Sequence, residues 1–494
     1  MSSNDNQIKH LKREILVRIT EAFLSDNFED NTRKIPYVMR PKGCEVDLRC
    51  CVYKERAVLR DRIVAGLGHS IENDDECKLL SEYAKEATER QKPDDEILTV
   101  LQGACKGCVP SSVYVTDMCQ GCVARPCTTT CRFGAISIVN GRSHIDSSKC
   151  KNCGMCINAC PYSAIAKIIV PCESVCPVDA IKKDESGHAR IDFSKCIGCG
   201  KCIAACPFGA IHEKSQIIDV LSRIKEGKNV IAMIAPAIAG QFPYPMAKVR
   251  TALLKIGFKD VLEVAQGADI TTLTEAEDFK ERMAENAPFM TTSCCAAYNE
   301  LVKKHIPEIK PYVSETGTPL YYTAEIAKKK DPDCVTVFIS PCSAKRKEVL
   351  DNPNADYVIN FDELGAILVA MKIEVSNLED TNFEVESSKE GRNFPISGGV
   401  AQAVKSALEL KGENVEIHPC LIDGLNKQTI RELKGYAKTG NCPNGNLIEV
   451  MSCSGGCVGG NSALNAQKKA QKQITEYADT GKPVVQKEAT EQNS

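Results

Sequence analysis

KCKNCGMCINACP, residues 149–161, sets thiols at Cys150, Cys153, Cys156 and Cys160 and closes on Pro161; KCIGCGKCIAACP, residues 195–207, repeats the arrangement at Cys196, Cys199, Cys202 and Cys206. The spacing CxxCxxCxxxCP lets three thiolates wrap one face of a 4Fe-4S cube on a tight loop, while the fourth reaches across to a partner cube. A structural zinc would account for CxxC pairs. It would not account for a third cysteine in register followed by Cys-Pro, twice. Around these stretches runs an internal repeat, CRFGAI, CPYSAI, CPVDAI and CPFGAI, beginning at Cys131, Cys160, Cys176 and Cys206. The segment from Cys105 to Ile211 therefore reads as an array of cluster-binding turns.

Both stretches match the pattern of bacterial ferredoxins, in which ligation crosses between halves. In the first unit the partner half is CQGCVARPCTTTCR. Cluster one then uses Cys119, Cys122, Cys127 and Cys160, and cluster two uses Cys150, Cys153, Cys156 and Cys131. This half departs from the pattern, with four residues rather than two before Cys127 and Arg132 in place of proline. In the second unit PCESVCP offers only Cys172 and Cys176, so a third cluster takes Cys196, Cys199, Cys202 and Cys176. Cys172 and Cys206 then need two more ligands, which the isolated CKGC pair, Cys105 and Cys108, could supply; alternatively that pair is redox-active or idle. Three or four accessory cubes follow. Cubes in a row make an electron wire, with a donor at one end and a reaction centre at the other.

Composition fits a metalloprotein of several domains. At 494 residues and 43% apolar content the chain should divide into two to four domains. A net charge of -3 and a pI near 6.3 leave no basic footprint for nucleic acid or anionic membranes. No apolar run reaches the length of a membrane span, and MSSNDNQIKHLKREI has no secretory h-region, so the chain is read as cytoplasmic. Twenty-eight cysteines in such a chain point to metal rather than disulfides. Residues 1–100 read as helical, with Cys44, Cys50, Cys51 and Cys77 taken as structural buried thiols. Residues 215–480 read as α/β, with strands in NVIAMIAP (229–236) and VTVFISPC (335–342); a disordered tail is expected over 481–494.

Past the wire, three stretches hold the remaining candidate ligands: TTSCCAAY with Cys294 and Cys295, SPCSAKRKEV with Cys342, and EVMSCSGGCVGG with Cys453 and Cys457. Cys334, Cys420 and Cys442 have no comparable context and read as structural. These stretches resemble, in order, the signatures TSCCPxW, MPCxxKxxE and ExMACxxGCxxGG of the iron-only, or FeFe, hydrogenases. With RCCVYKE (49–55) and the cysteine array, the resemblance covers about residues 30–480. It implies a multidomain α+β and α/β fold: a helical region over 1–100, a ferredoxin-like cluster domain over 101–214 and a catalytic domain over 215–480.

The resemblance also implies an H-cluster, a 4Fe-4S cube joined through a cysteine sulfur to a di-iron unit with carbon monoxide, cyanide and azadithiolate ligands. Carried over by motif, Cys295, Cys342, Cys453 and Cys457 hold the cube, and Met451 borders the cofactor. Cys294 is left free to pass a proton, Lys345 hydrogen-bonds a cyanide, and Glu348 balances Lys345. Glu275, Asp278 and Ser314 relay protons, with Asp278 standing where glutamate is usual. The implied reaction is reversible reduction of protons to dihydrogen. The implied partners are a ferredoxin and dedicated maturation proteins. Departures fall at CCAAY, Ser340, Leu320 and GGNSA (459–463). A non-catalytic iron–sulfur assembly factor on the same scaffold, or a slow dihydrogen sensor, is the alternative.

Overall fold

A computed structural model describes residues 6–45 and 48–484. The apolar spacing at the N-terminus forms helices Gln7–Leu24, Phe28–Met39, Val52–Gly66 and Leu80–Glu89, the first two capped by the side chains of Asn6 and Asn27. Their buried faces do not make a separate core. Ile15, Ile19, Leu59 and Ile63 join one apolar cluster with Val230, Ile234, Ile359 and Leu364 from the far half of the chain.

The thiols expected to be buried here behave otherwise. Cys50, Cys51 and Cys77 are exposed and Cys44 is only partly covered, because the turns before Val52 and Leu80 lie outside the helix packing. The structural reading of these four is corrected accordingly.

The cysteine array folds as two small units. In the first, Ser112–Val115 pairs antiparallel with Ile165–Ile168, and Ile136–Val139 with Arg142–Ile145. In the second, Leu98–Val100 pairs with Ile211–Glu213, and Ile181–Lys183 with Ala189–Ile191. Short helices Met155–Ala159 and Lys201–Ala205 follow left-handed Gly154 and Gly200. The lengthened loop before Cys127 reaches the same end by another route. Arg125, at φ 44°, takes the left-handed position and Pro126–Thr130 forms the matching helix. The repeat also has a physical reading: the amides of Ala164, Ala180 and Ala210 donate to the sulfurs of Cys160, Cys176 and Cys206, four residues earlier.

From Val230 onward the fold is α/β. Strands Asp260–Glu263, Val230–Ile234, Val335–Ser340 and Tyr357–Asn360 form one parallel sheet in that order, and Met290–Thr291, Leu447–Met451 and Pro419–Asp423 a second. The runs VIAMI and LIEVM are buried throughout, as strands covered on both faces must be. A polar helix rich in Lys and Gln spans Gln467–Ala478. Within the tail expected over 481–494, Val484 is buried and the Lys482 carbonyl accepts from the Lys389 amide; residues 485–494 lie outside the described residues. Among the described residues no helix is long and apolar enough to cross a membrane.

Candidate metal centre and electron wire

All three ligand-bearing stretches leave the C-terminal ends of parallel strands, where open α/β sheets place their binding crevices. Thr291 leads to Cys294 and Cys295, Ser340 to Cys342, and Met451 to Cys453 and Cys457. Cys295 ends extended backbone and starts the helix Ala296–His305, so neighbouring thiols project differently. Cys453 and Cys457 are folded back by Gly455 and Gly456, at φ 77° and 89°. A Cβ on Gly456 would stand 2.5 Å from the Pro395 carbonyl oxygen.

Cys294, Cys295, Cys342 and Cys457 border one cavity of about 90 Å³, closed by apolar walls including Val264, Leu320, Phe338 and Phe394. Met451, Ser340 and Lys345 line it too. Burial, then Cys342, Cys457, Cys295 and Cys199, pushes the Cys453 thiol well above its ordinary range. The Cys342 and Cys457 thiols rise to about 12 for the same reasons, burial first. Their residual accessibility opens onto this cavity. Buried thiols gathered this closely beside apolar walls are a poor arrangement unless a cation compensates them. The donor set and its surroundings therefore fit an iron–sulfur cube with a further group in the cavity beyond. Among the described residues no three His, Cys, Asp or Glu side chains converge closely enough for a single ion.

Lys345 donates 2.6 Å to Glu348 and 3.4 Å to the Cys294 carbonyl, and Thr318 donates to the other Glu348 oxygen. Burial pulls the ammonium down, but Glu348 and then the Cys342 and Cys294 thiols outweigh it and hold its pKa above the ordinary lysine value. The cation thus stays charged inside an apolar wall.

Behind Cys294 stands Glu275, fully buried on the long helix Val264–Ala284. Burial, then Glu275, Glu449, Cys295 and Cys457, pushes the Cys294 thiol well above its usual range. Burial, then Asp278 and Glu449, pushes the Glu275 carboxyl up to about 8, against the pull of Ser314 and the Ser293 amide. Those two groups face it without reaching hydrogen-bond geometry, and neither carboxyl oxygen has a partner. Asp278, half-buried, accepts 2.5 Å from Arg282 and 3.3 Å from the Glu315 amide. The structure thus brings Glu275 near Cys294 and near Ser314 and Asp278. Arg282 was passed over in the sequence, although its position four residues after Asp278 on a helix is the signal that could have flagged the pair. Glu449 was quoted within the last motif but passed over; burial pushes it up to about 7, and it accepts from the amides of Gly398 and Ala401.

The Glu275 carboxyl gives a testable pH dependence. Raised from 4.5 to about 8, it keeps its proton in the folded state where the unfolded chain has lost it. Folding stability is therefore full below pH 4.5 and falls as pH rises through 8. Glu275→Gln should flatten that fall, read as the difference in thermal midpoint between pH 5.5 and 8.5; an unchanged difference would contradict a raised Glu275.

The accessory thiols gather as well. Cys119, Cys122, Cys127 and Cys160 line one small cavity. Cys156 is raised by burial and by Cys150, Cys153 and Cys131. Cys202 is raised by burial and by Cys199, Cys196, Cys176 and then Cys172. Cys172 is pushed up to about 11 by burial, with Cys206 and Cys105 contributing, and Cys108 packs on the same apolar group as Cys172. Cys199 contributes to Cys453, so the array comes close to the loop of Cys453 and Cys457. Lys304, on the helix after Cys295, donates 2.7 Å to the Cys196 carbonyl across that junction.

Glu213, also at the junction, was missed by sequence reasoning because no motif contains it. Burial works against its charge, but Lys12, Arg346 and hydrogen bonds from Ser343 and Asn461 overcome this and hold the carboxyl down to about 2.

Comparison with known proteins places these features in context. Residues 228–461 match the family model "Iron only hydrogenase large subunit, C-terminal domain". Residues 169–217 match an LdpA Fe-S cluster-binding domain, and 143–166 a 4Fe-4S binding domain. Iron hydrogenase 1 of Clostridium pasteurianum is 29% identical over 378 residues, 66% of this chain and 65% of its own length. The cytosolic Fe-S cluster assembly factor NAR1 of Kluyveromyces lactis is 22% identical over 291 residues, 44% of this chain and 61% of its own. The solved structure of apo [FeFe]-hydrogenase HydA1 from Chlamydomonas reinhardtii superposes with a TM-score of 0.43 at 22% identity, covering 53% of this chain and 87% of that one.

Proposed function

We propose that the chain interconverts protons and electrons with dihydrogen, a reading supported by the match of residues 228–461 to the iron-only hydrogenase large-subunit model and by the iron–sulfur binding domains matched before it. The observation that carries this reading is the cavity where a non-ligating thiol, Cys294, and a charged amine, Lys345, stand beside Cys295, Cys342 and Cys457. Cys295, Cys342, Cys453 and Cys457 hold the cube of an H-cluster, whose di-iron part supplies redox chemistry that no side chain possesses. Met451 and the apolar wall exclude water from it.

The chain's own work is proton handling and orientation. Cys294 stays a thiol in its buried setting and donates its proton into the cavity. Glu275, protonated at neutral pH, restores it, and Ser314 and Asp278 connect Glu275 to solvent. Lys345, held by Glu348, offers its remaining N–H groups to anionic ligands of the bound group.

The four thiol groups would hold four accessory cubes, with the pair Cys105 and Cys108 completing the last, and these would supply the electrons. Their outer end is the unit 112–168, where Cys153 is exposed. Arg125, Arg132, Arg142, Lys149, Lys151 and Lys167 are all exposed there against Asp117 and Asp146, around exposed Val123, Phe133 and Tyr162. That surface suits a small acidic electron carrier such as a ferredoxin. Hydrogenase maturation proteins supply the di-iron unit.

The direct test is infrared spectroscopy of protein made with maturation enzymes, where metal-bound carbon monoxide and cyanide stretches are expected. Their absence would favour the assembly-factor reading, which the similarity to NAR1 keeps as the second one; Cys294 and Lys345 at the cavity speak for the first. Iron analysis tests the wire. Five cubes and a di-iron unit amount to about 22 iron atoms per chain, against about 18 if Cys105 and Cys108 bind none. Replacing both by alanine should remove about four; unchanged iron would reduce the wire to three cubes.

A further inference from the structure

The strand Ile211–Glu213 ends the iron–sulfur half of the chain, yet the Glu213 carboxylate lies entirely among residues of the other half and of the N-terminal helix. Oε1 accepts from the Ser343 hydroxyl and, at 2.9 Å, from the Asn461 side-chain amide. Oε2 accepts from Asn360 at 2.6 Å and faces Lys12 at 3.5 Å. Ser343 is the residue after Cys342, and its amide donates 3.2 Å to the Asn461 carbonyl oxygen. Asn461 closes the loop that carries Cys457, in the GGNSA stretch that departs from the family signature.

One carboxylate therefore ties together the two loops that bring Cys342 and Cys457 to the cavity. The loop of the nearest accessory thiol rests on the same knot. A Cβ on Gly200, next to Cys199, would stand 2.7 Å from the Ser343 hydroxyl oxygen and 2.8 Å from the Asn461 side chain. Only the bare backbone of Gly200 allows that approach. The knot continues through Asn360, whose side chain caps the helix Phe361–Ala370 together with Glu363. Glu363 in turn accepts 2.7 Å from Arg346, the neighbour of Lys345.

We infer that Glu213 is a positioning residue for electron transfer: with Asn461 it fixes the loops of Cys342 and Cys457 against the loop of Cys199, and so sets the gap between the last accessory cube and the catalytic one. The inference rests on the reading of Cys295, Cys342, Cys453 and Cys457 as cube ligands. It does not need the di-iron unit. Lys12 keeps the carboxylate charged, and this gives the N-terminal helix a place in the wire.

The test uses full-length protein made without maturation enzymes, carrying cubes alone, reduced and examined by low-temperature electron paramagnetic resonance. In the native protein the reduced catalytic cube and its neighbour should show magnetic interaction. Asn461→Ala and Glu213→Ala should weaken that interaction with iron content unchanged, and Glu213→Gln, which keeps the side chain's shape and an acceptor oxygen, should restore much of it. In matured protein the two alanine variants should turn over about tenfold more slowly with an electron carrier.

An interaction as strong as the native one in both alanine variants, even with lowered thermal stability, would make Glu213 merely structural and overturn the inference. Should Glu213→Ala shed iron, Asn461→Ala decides by the same signal, since it leaves the carboxylate and Lys12 in place. Missing carbon monoxide and cyanide bands in matured protein would sink the proposed function while leaving this signal intact, so the two failures are distinguishable.

Discussion

Cys294→Ala is expected to keep its iron and its infrared bands and to lose turnover by about 100-fold or more, the loss typical of a positioned general acid and equal to about 3 kcal/mol in the barrier. The reason is geometric: Cys294 borders the cavity with Glu275 behind it. Cys295→Ala, one residue on, should lose the catalytic cube. Cys294→Asp keeps an ionisable group and should recover part of the rate, whereas Cys294→Ser, with a far weaker acid, should recover little. Equal metal loss in both alanine variants would make both thiols ligands. Native rates from Cys294→Ala would remove the proton role.

Protein produced in a host without maturation enzymes is expected to have no measurable hydrogenase activity while holding all its cubes, about 20 iron atoms rather than 22. The chain presents thiols, one lysine and apolar walls to the cavity, and none of these can make cyanide or carbon monoxide. Iron and sulfide alone should therefore restore cubes and no turnover. Activity on such simple reconstitution would count against an H-cluster. Stripping the matured protein with a chelator should abolish activity in a way that iron and sulfide do not reverse.

The cluster turns were legible because their ligands lie within a few residues, so spacing alone encodes much of the geometry. The crossed sets, Cys131 with Cys150, Cys153 and Cys156 or Cys176 with Cys196, Cys199 and Cys202, gather as the pattern required. Cys294 and Cys295 were told apart only by what the resemblance implies, and both border the same cavity. Residues whose partners are distant in sequence were not legible. Glu213 meets Asn461 across 248 positions, and no local rule marks either. The exposure of Cys50, Cys51 and Cys77 and the burial of Val484 were likewise decided by packing that composition does not encode.

The apolar cluster shared by Ile15, Ile19 and Ile63 with Ile359 and Leu364 bears on how the protein is made. A ribosome releases the first helices well before Val230 and Ile234, and longer still before Ile359 and Leu364, have been made. Over that interval their apolar faces must stay in water or on a chaperone, a state prone to aggregation. The cysteine turns, by contrast, are complete as soon as residue 206 emerges, and can take up their cubes while the chain around them is still open. Folding then closes the N-terminal helices over units already metallated. A fragment ending near residue 214 should accordingly bind iron and yet be poorly soluble, because the surface that covers its helices belongs to the part left off.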